Sequence, residues 1–161
     1  TGVGALAAHA NVVSSSLNAN VHSLVELGEL ESSTETIVVE NDSCNDGNYT
    51  ELNWSRFTSL KSLRVCDYCF SAVKHISIVG LPLLESVRIG MNSFDGYSSD
   101  EMALVVKNCS RLRELKIGPS SFSAWHGVQI ENMPSLEVIE IGYLHYRGDG
   151  FAYASLELKS E

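Results

Sequence analysis

The sequence is poor in proline, in positive charge and in long apolar runs. Its three prolines among 161 residues leave most turns to other residues. Its formal net charge of -9 argues against a surface built to bind nucleic-acid phosphates. No apolar run approaches the ~18 residues that a membrane-spanning helix needs. We therefore expect no nucleic-acid partner and no membrane span.

The sequence motifs of common enzyme active sites are also missing. There is no phosphate-binding loop, no dinucleotide fingerprint and no nucleophile elbow. The five histidines are scattered along the chain, which is typical of surface or half-buried histidines. We predict no catalytic residue, no cofactor-binding residue and no metal ligand, and hence no enzymatic activity.

Cysteine is scarce, and its pattern does not support a redox or metal site. Cys66 and Cys69 form a C-x-x-C pair, but a redox pair needs a helix start behind it to lower the thiol pKa, and no helix signal follows. A four-cysteine zinc site would need a second such pair. Cys109 occupies a column that elsewhere holds Leu81 and Met133, so we interpret it as a small core residue.

The feature that is present is an internal repeat. The stretches LKSLRVCDYCF, LESVRIGMNSF and LRELKIGPSSF share one apolar-x-apolar core, a leucine three positions before it and an aromatic residue after it. The cores begin at Ile37, Leu63, Val87, Leu115 and Ile139. Their nearly constant spacing, together with the several columns that align, predicts a repeat architecture.

A repeat of this length cannot close a core alone and must stack on its neighbours. Each apolar-x-apolar core is expected to form a short parallel strand with two side chains inward and one outward. The predicted strands lie near 37–40, 63–66, 87–90, 115–118, 139–142 and 156–158. Met102, Val105 and Val106 follow a helical spacing behind Asp100, which predicts a helix near 100–108. The other return segments are expected to be irregular or extended.

These columns resemble the leucine-rich repeat, L-x-x-L-x-L-x-x-N-x-L. The residues that fill its positions in one copy are Leu84, Val87, Ile89, Asn92 and Phe94. The resemblance covers residues 34–161 and implies an α/β repeat solenoid with its parallel strands on a concave face. It also implies protein recognition on that face. The asparagine column holds Tyr68, Ser120 and Leu144 in other copies, so we expect no continuous asparagine ladder.

The two ends of the chain are less regular than its middle. Residues 1–16 are small and apolar and are expected to be flexible or linker-like, with the repeat domain over 17–161 as a fragment of a longer array. Val13, Leu17, Val21 and Leu24 recur at helical spacing. This spacing fits either a short helix that caps the first strand or a disordered lead-in. Self-association through the open ends of the solenoid is a further expectation.

The outward residues of successive strands form a predicted binding surface. They read Val38, Arg64, Arg88, Lys116 and Glu140, followed by Glu157, at about 4.8 Å per strand. Two interpretations are open. Acids such as Glu85 and Glu114 soften the repulsion within an ordinary charged surface, or the cations anchor an acidic segment of a protein or peptide. In the second interpretation, Arg88→Glu is expected to destroy partner binding.

A column of small residues, Cys66, Gly90, Gly118 and Gly142, adjoins this row. It is interpreted either as a trough that admits a peptide backbone or as glycine required where the strand turns.

The leading functional hypothesis is a non-catalytic protein-protein interaction module. The alternatives are the substrate-recognition part of a larger enzyme, such as a ubiquitin ligase, and a cell-surface adhesion or receptor ectodomain. The tripeptide Arg147-Gly148-Asp149 is the feature that favours adhesion, although its residues are also good turn formers.

Sequons at Asn41, Asn48, Asn53 and Asn108 matter only in a secreted protein. The absence of paired cysteine caps favours a cytoplasmic location.

Overall fold

The chain folds as a parallel β-solenoid. The computed structural model describes residues 17–96, 103–123, 125–142 and, for the backbone, 155–159. In chain order the elements are β1 Asn18–Val21, α1 Leu24–Glu29, β2 Thr36–Val39, β3 Glu51–Asn53, β4 Ser62–Val65, β5 His75–Val79, β6 Ser86–Ile89, β7 Ala103–Lys107, β8 Glu114–Ile117, β9 Gly127–Glu131, β10 Val138–Ile141 and β11 Ser155–Lys159. From β2 onward the described strands alternate between a first sheet, ordered β1-β2-β4-β6-β8-β10, and a second sheet, ordered β11-β9-β7-β5-β3.

The first sheet is built from the repeated apolar-x-apolar cores. Within β6, Val87 and Ile89 are buried and Arg88 between them is exposed, because side chains alternate along a strand. The strands pair in parallel with the repeats in register, so that Val87 stands between Leu63 and Leu115. The predicted parallel stacking of these cores is confirmed. The strands β2, β4, β6, β8 and β10 each begin one position before the predicted range.

The return segments form a second regular sheet, whereas the sequence predicted mostly irregular or extended segments and a helix near 100–108. That helix prediction is wrong over Ala103–Lys107, which is strand β7, and residues 100–102 lie outside the described part. Leu104 and Val106 are buried and Val105 lies on the opposite face. Two adjacent β-branched valines on opposite faces suit a strand, and the stacking of β7 between β5 and β9 overrides the helical spacing.

The one helix among the described residues, α1, lies in the first coil between β1 and β2. Ser23 is its N-cap and its side chain accepts a hydrogen bond from the backbone N–H of Glu26 at 3.1 Å. The predicted helix through Val21 and Leu24 is placed differently. Val21 belongs to β1 and is fully buried opposite Val39, while Leu24 begins α1. Val13 and the predicted linker, residues 1–16, lie outside the described residues.

The last strand also differs from its expected place. Strand β11 pairs with β9 in the second sheet, so Glu157 stands opposite Gln129 and does not continue the row beyond Glu140. Its position along the chain explains this. Strand β11 follows β10 at the same separation at which β7 follows β6, which is the length of the passage from the first sheet to the second. A return to the first sheet needs a longer stretch, as the later start of β8 shows.

Both sheets share one core. A stack of phenylalanines fills the corner of this core where the chain leaves the first sheet for the second. The rings of Phe70, Phe94 and Phe122 lie parallel with centroids 5.1 and 4.9 Å apart. Trp54 meets the edge of Phe70 at one end, and Trp125 lies edge-on to Phe122 at the other. The aromatic column seen in the sequence is therefore a continuous stack that joins consecutive coils.

Left-handed backbone marks this corner in successive coils of the described chain. Asn92 and Phe94 have φ values of 49° and 58°, and the equivalent residues Asp42, Cys44, Tyr68, Phe70, Ser120 and Phe122 share the sign. Buried hydroxyls between these positions satisfy the backbone. Ser93 accepts from the N–H of Cys69 at 3.1 Å and donates to the carbonyl of Cys66 at 2.9 Å. Asparagine in the repeat pattern fits this column because it tolerates left-handed φ.

Candidate interaction face

The outward side chains of the first sheet stand in register. Val38 is paired with Arg64, Arg64 with Arg88, Arg88 with Lys116, and Lys116 with Glu140. We call these five residues the outer row. The structure brings all of them together, and Asn20 of β1 extends the row beyond Val38. Three cations therefore stand side by side on a chain of net charge -9.

Two of the three cations are neutralised by acids of the protein itself. The Arg88 guanidinium holds the Glu114 carboxylate side-on, with Nε–Oε1 at 2.5 Å and Nη2–Oε2 at 3.3 Å. Lys116 lies 3.3 Å from Glu140 and 4.0 Å from Glu114. The hydrogen bond from Arg88 lowers the pKa of Glu114, and the same bond raises the pKa of Arg88.

Arg64 is the exception within the outer row. Its side chain is exposed and forms no hydrogen bond or ion pair with any described residue. Its neighbours across the sheet are Val38, which is uncharged, and Arg88, which is already committed to Glu114. Of the two acids expected to soften the row, Glu114 does so and Glu85 makes no ion pair with a described cation. Arg64 is therefore the one cation of the outer row without an ion pair to a described acid.

A second outward row runs beside the first, two positions earlier on each strand. It contains Thr36, Ser62, Ser86, Glu114 and Val138, which pair in this order. Thr36, Ser62 and Ser86 are half-buried, and their hydroxyls make no side-chain hydrogen bond with the described residues. Polar donors thus line the sheet beside Arg64, whereas an acid occupies the equivalent place beside Arg88.

A pocket of about 570 Å³ lies at the carboxyl ends of β2, β4 and β6. Its lining residues are Val38, Glu40, Asn41, Arg64, Val65, Cys66, Asp67, Arg88, Ile89 and Gly90. Arg64 and Arg88 provide its cations, and Glu40 and Asp67 provide carboxylates. One Asp67 oxygen accepts from the backbone N–H of Met91 at 2.8 Å. The pocket therefore has mixed polarity.

The glycine column is required for close stacking of the coils. A Cβ on Gly118 would lie 2.5 Å from the carbonyl carbon of Gly90, and one on Gly142 would lie 2.5 Å from the nitrogen of Pro119. Neither glycine has a left-handed φ. Contact with the preceding coil therefore explains these two glycines, whereas the trough that would admit a peptide backbone stays a prediction. Their Cα atoms face the backbone of the preceding coil.

The cysteines of the described chain are free and mostly buried. Burial raises the pKa of the Cys44 thiol to about 12 and that of Cys69 to about 11. The Cys69 thiol donates to the carbonyl of Glu40 at 3.0 Å. Both thiols stay protonated at neutral pH, so they are poor nucleophiles and metal ligands. The described residues contain no group of three or more histidine, cysteine or acidic side chains that could hold a metal ion.

The remaining sequence signals fall in separate places. Asn48 lies in an exposed loop, where its side-chain amide donates to Asp46 at 2.8 Å. The side-chain oxygens of Asn41, Asn53 and Asn108 accept hydrogen bonds from Asp67, Ser55 and Asn132. The Arg147-Gly148-Asp149 tripeptide lies outside the described residues.

Sequence reasoning missed the second sheet and the hydroxyl row. A signal for the sheet was present, since HISIV over His75–Val79 alternates buried and half-buried residues. The hydroxyl row had none, because Ser62 and Ser86 become neighbours only through strand pairing. At the far edge of the first sheet, Val138, Ile139 and Ile141 are about two-fifths exposed, at 40%, 38% and 42%.

Comparison with known protein families, curated protein sequences and solved structures finds no match to this chain. Among the helices of the described residues, none has the length and apolar character needed to cross a bilayer.

Proposed function

We propose that the protein is a non-catalytic interaction module that binds an acidic segment of a partner protein on the outer face of its first sheet. One observation carries the proposal: Arg64, Arg88 and Lys116 stand in register on neighbouring strands of a strongly acidic chain. Like charges side by side on a sheet are destabilising unless they are compensated. Glu114 and Glu140 compensate two of these cations, and a partner carboxylate would compensate Arg64.

The leucine-rich repeat relationship is a further part of this proposal. It is supported by the burial of Leu84, Val87, Ile89 and Phe94, the apolar positions of the best-matching copy. The second regular sheet departs from an α/β arrangement, because strands stand where the resemblance implied helical or irregular segments. The proposed relationship therefore concerns the half of each coil that contributes a strand to the first sheet.

Selection from a displayed random dodecapeptide library tests the proposed function. We expect the full chain to enrich peptides containing aspartate or glutamate. A triple variant, Arg64→Gln with Arg88→Gln and Lys116→Gln, should lose this enrichment, because three donors to carboxylates are removed.

The matched control neutralises three cations outside the outer row, Lys74, Arg111 and Arg113, in the same way. Its net charge equals that of the first variant, so a general electrostatic effect would weaken both equally. Enrichment of acidic peptides that survives in the outer-row variant would refute the proposal, provided circular dichroism shows that the variant is folded.

A further inference from the structure

The pair between Arg88 and Glu114 shows how the outer row binds a carboxylate. Arg88 lies on β6, and Glu114 lies on the next strand of the sheet, β8, in the adjacent row. The Arg88 guanidinium reaches diagonally to this neighbouring strand and donates two parallel hydrogen bonds to the Glu114 carboxylate. Such side-on pairs are geometrically specific. The pair therefore serves as an internal template for the same position in other coils.

One coil earlier, the arginine equivalent to Arg88 has no carboxylate on the next strand. Ser62, Ser86 and Glu114 share one register row, and Arg64, Arg88 and Lys116 share the next. Arg64 is therefore related to Ser86 as Arg88 is to Glu114. Serine at 86 leaves a hydroxyl where the template has an acid, and neither Arg64 nor the Ser86 hydroxyl bonds to a described side chain. We call this place the Arg64–Ser86 position.

We propose that the Arg64–Ser86 position binds the carboxylate of a glutamate side chain from an extended segment of a partner protein. The proposal rests on the proposed function and names the residue that the partner contributes. The Arg64 guanidinium donates two hydrogen bonds to the carboxylate, as Arg88 does to Glu114, and the Ser86 hydroxyl donates a third. A glutamate side chain matches the template because Glu114 itself fills the equivalent place.

Charges around the position restrict the neighbouring residues of the partner. Glu40 and Asp67 line the same pocket as Arg64 and would repel a second acid placed on that side. On the other side, the charge of Arg88 is already balanced by Glu114. We therefore expect the stretch of the acidic segment that lies at the Arg64–Ser86 position to carry one glutamate with neutral or basic residues next to it, and not a run of acids.

Three pools of synthetic heptapeptides test the proposal on the full chain. The first has a central glutamate, blocked ends and random neutral or basic flanks. The second has a central glutamine in its place. The third has glycine at the centre and a free carboxyl terminus. We expect the first pool to bind roughly tenfold more tightly than the second, because a bidentate charged pair is lost with glutamine. Preference for the third pool, or no preference, would overturn the proposal.

Variants of the protein then locate the contact. Arg64→Gln should weaken binding of the glutamate pool roughly tenfold, whereas Arg111→Gln, which removes an exposed cation outside the outer row, should change it by less than about threefold. Ser86→Glu should abolish binding because it supplies the missing acid internally. The matched control, Ser77→Glu, adds the same charge at an outward position of the second sheet and should bind normally.

The outcomes separate this proposal from the more general one. If acidic peptides bind and depend on Arg88 or Lys116 but not on Arg64, the proposed function stands and the assignment to Arg64 and Ser86 is wrong. If no acidic peptide binds the wild-type chain, both proposals fail. A Ser86→Glu variant that still binds the glutamate pool also contradicts the assignment, provided its thermal unfolding matches or exceeds that of wild type.

Discussion

At the scale of single residues, Gly90, Gly118 and Gly142 allow close contact between the backbones of neighbouring coils. The N–H of Gly118 donates to the carbonyl of Ile89 at 2.7 Å, and the same bond joins Gly90 to Val65 at 2.8 Å. These bonds end the ladder between neighbouring strands. Cys66 makes the equivalent bond to Val39 at 2.9 Å although it carries a Cβ, so the bond itself does not require glycine. Glycine is needed at 90, 118 and 142 because a Cβ there would lie within 2.8 Å of the backbone of the preceding coil.

Gly118→Ala should destabilise the protein. Its Cβ would lie 2.5 and 2.6 Å from the carbonyl carbon and oxygen of Gly90, and backbone atoms cannot move aside cheaply. We expect a loss of about 1–3 kcal/mol in the free energy of unfolding, typical of overpacking. Urea denaturation followed by circular dichroism measures it.

The control is Gly28→Ala in α1, where an added Cβ meets no atom within 4 Å. Alanine is the better helix former, so this variant should be neutral or more stable by up to about 1 kcal/mol. Equal stability of the Gly118→Ala and wild-type proteins would show that the coils are not held by close glycine contact.

Residue-scale reasoning from sequence identified the outer row but not its pairing. The alternation of buried and exposed residues is enough to turn Arg64 and Arg88 outward. It does not distinguish the two arginines, because each is flanked by apolar neighbours in nearly identical sequence. The difference lies in Ser86 and Glu114, one coil further on, and becomes visible only when the register is known.

At the scale of elements, the aromatic stack couples coils that are far apart in sequence. Phe94 and Phe122 belong to consecutive coils, and their rings stack with centroids at 4.9 Å and an interplanar angle of 8°. Both rings are essentially inaccessible to solvent. Each ring therefore packs directly against the ring of the next coil, so a change at one ring affects its neighbour.

A double-mutant cycle should reveal this coupling. Phe94→Leu and Phe122→Leu are expected to interact by about 0.5–1.5 kcal/mol, since stacked aromatic pairs contribute this much beyond their buried area. The measurement is the free energy of unfolding of the two single variants and the double variant.

The control cycle pairs Trp54→Leu with Phe122→Leu. Among the described residues these two rings share no aromatic neighbour. Their effects should therefore add within about 0.5 kcal/mol. Equal coupling in both cycles would contradict nearest-neighbour packing.

The elements that were predicted well from the sequence are those whose apolar residues alternate with polar ones, so that only one face of the strand is buried. Strands β4, β6 and β8 follow from apolar-x-apolar cores that bury two residues each. The predicted helix near 100–108 failed because a short apolar run fits either period, and pairing with neighbouring strands decided the outcome. Similarly, the sequence placed β11 in the first sheet, although it pairs with β9 of the second sheet. The alternating pattern of its residues predicts a strand but does not determine which sheet the strand joins.

At the scale of the whole molecule, each coil is held mainly by its two neighbours. Every strand of the first sheet pairs only with the strands before and after it in the sheet order. Stability in such arrays is a sum of local terms, so it should vary along the solenoid. The edge strand β10 is exposed at all four residues, whereas β6 buries two of its four.

Hydrogen exchange should display this gradient. We expect amides of β4 and β6 to be the most protected and those of β10 to exchange at least about tenfold faster, because β10 opens without disturbing other coils. Exchange measured by mass spectrometry on peptides covering each strand provides the test. Uniform protection from β2 to β10 would indicate global unfolding as the common route and would contradict the local scheme.

The parallel pairing of the described strands also fixes how the molecule responds to mechanical force. The hydrogen bonds between coils point along the solenoid axis, so tension between its two ends loads the terminal coil before any other. That coil peels away, and the load passes to the next. Extension should therefore proceed at low force in steps of one coil each, in contrast to the abrupt rupture of strands sheared lengthwise.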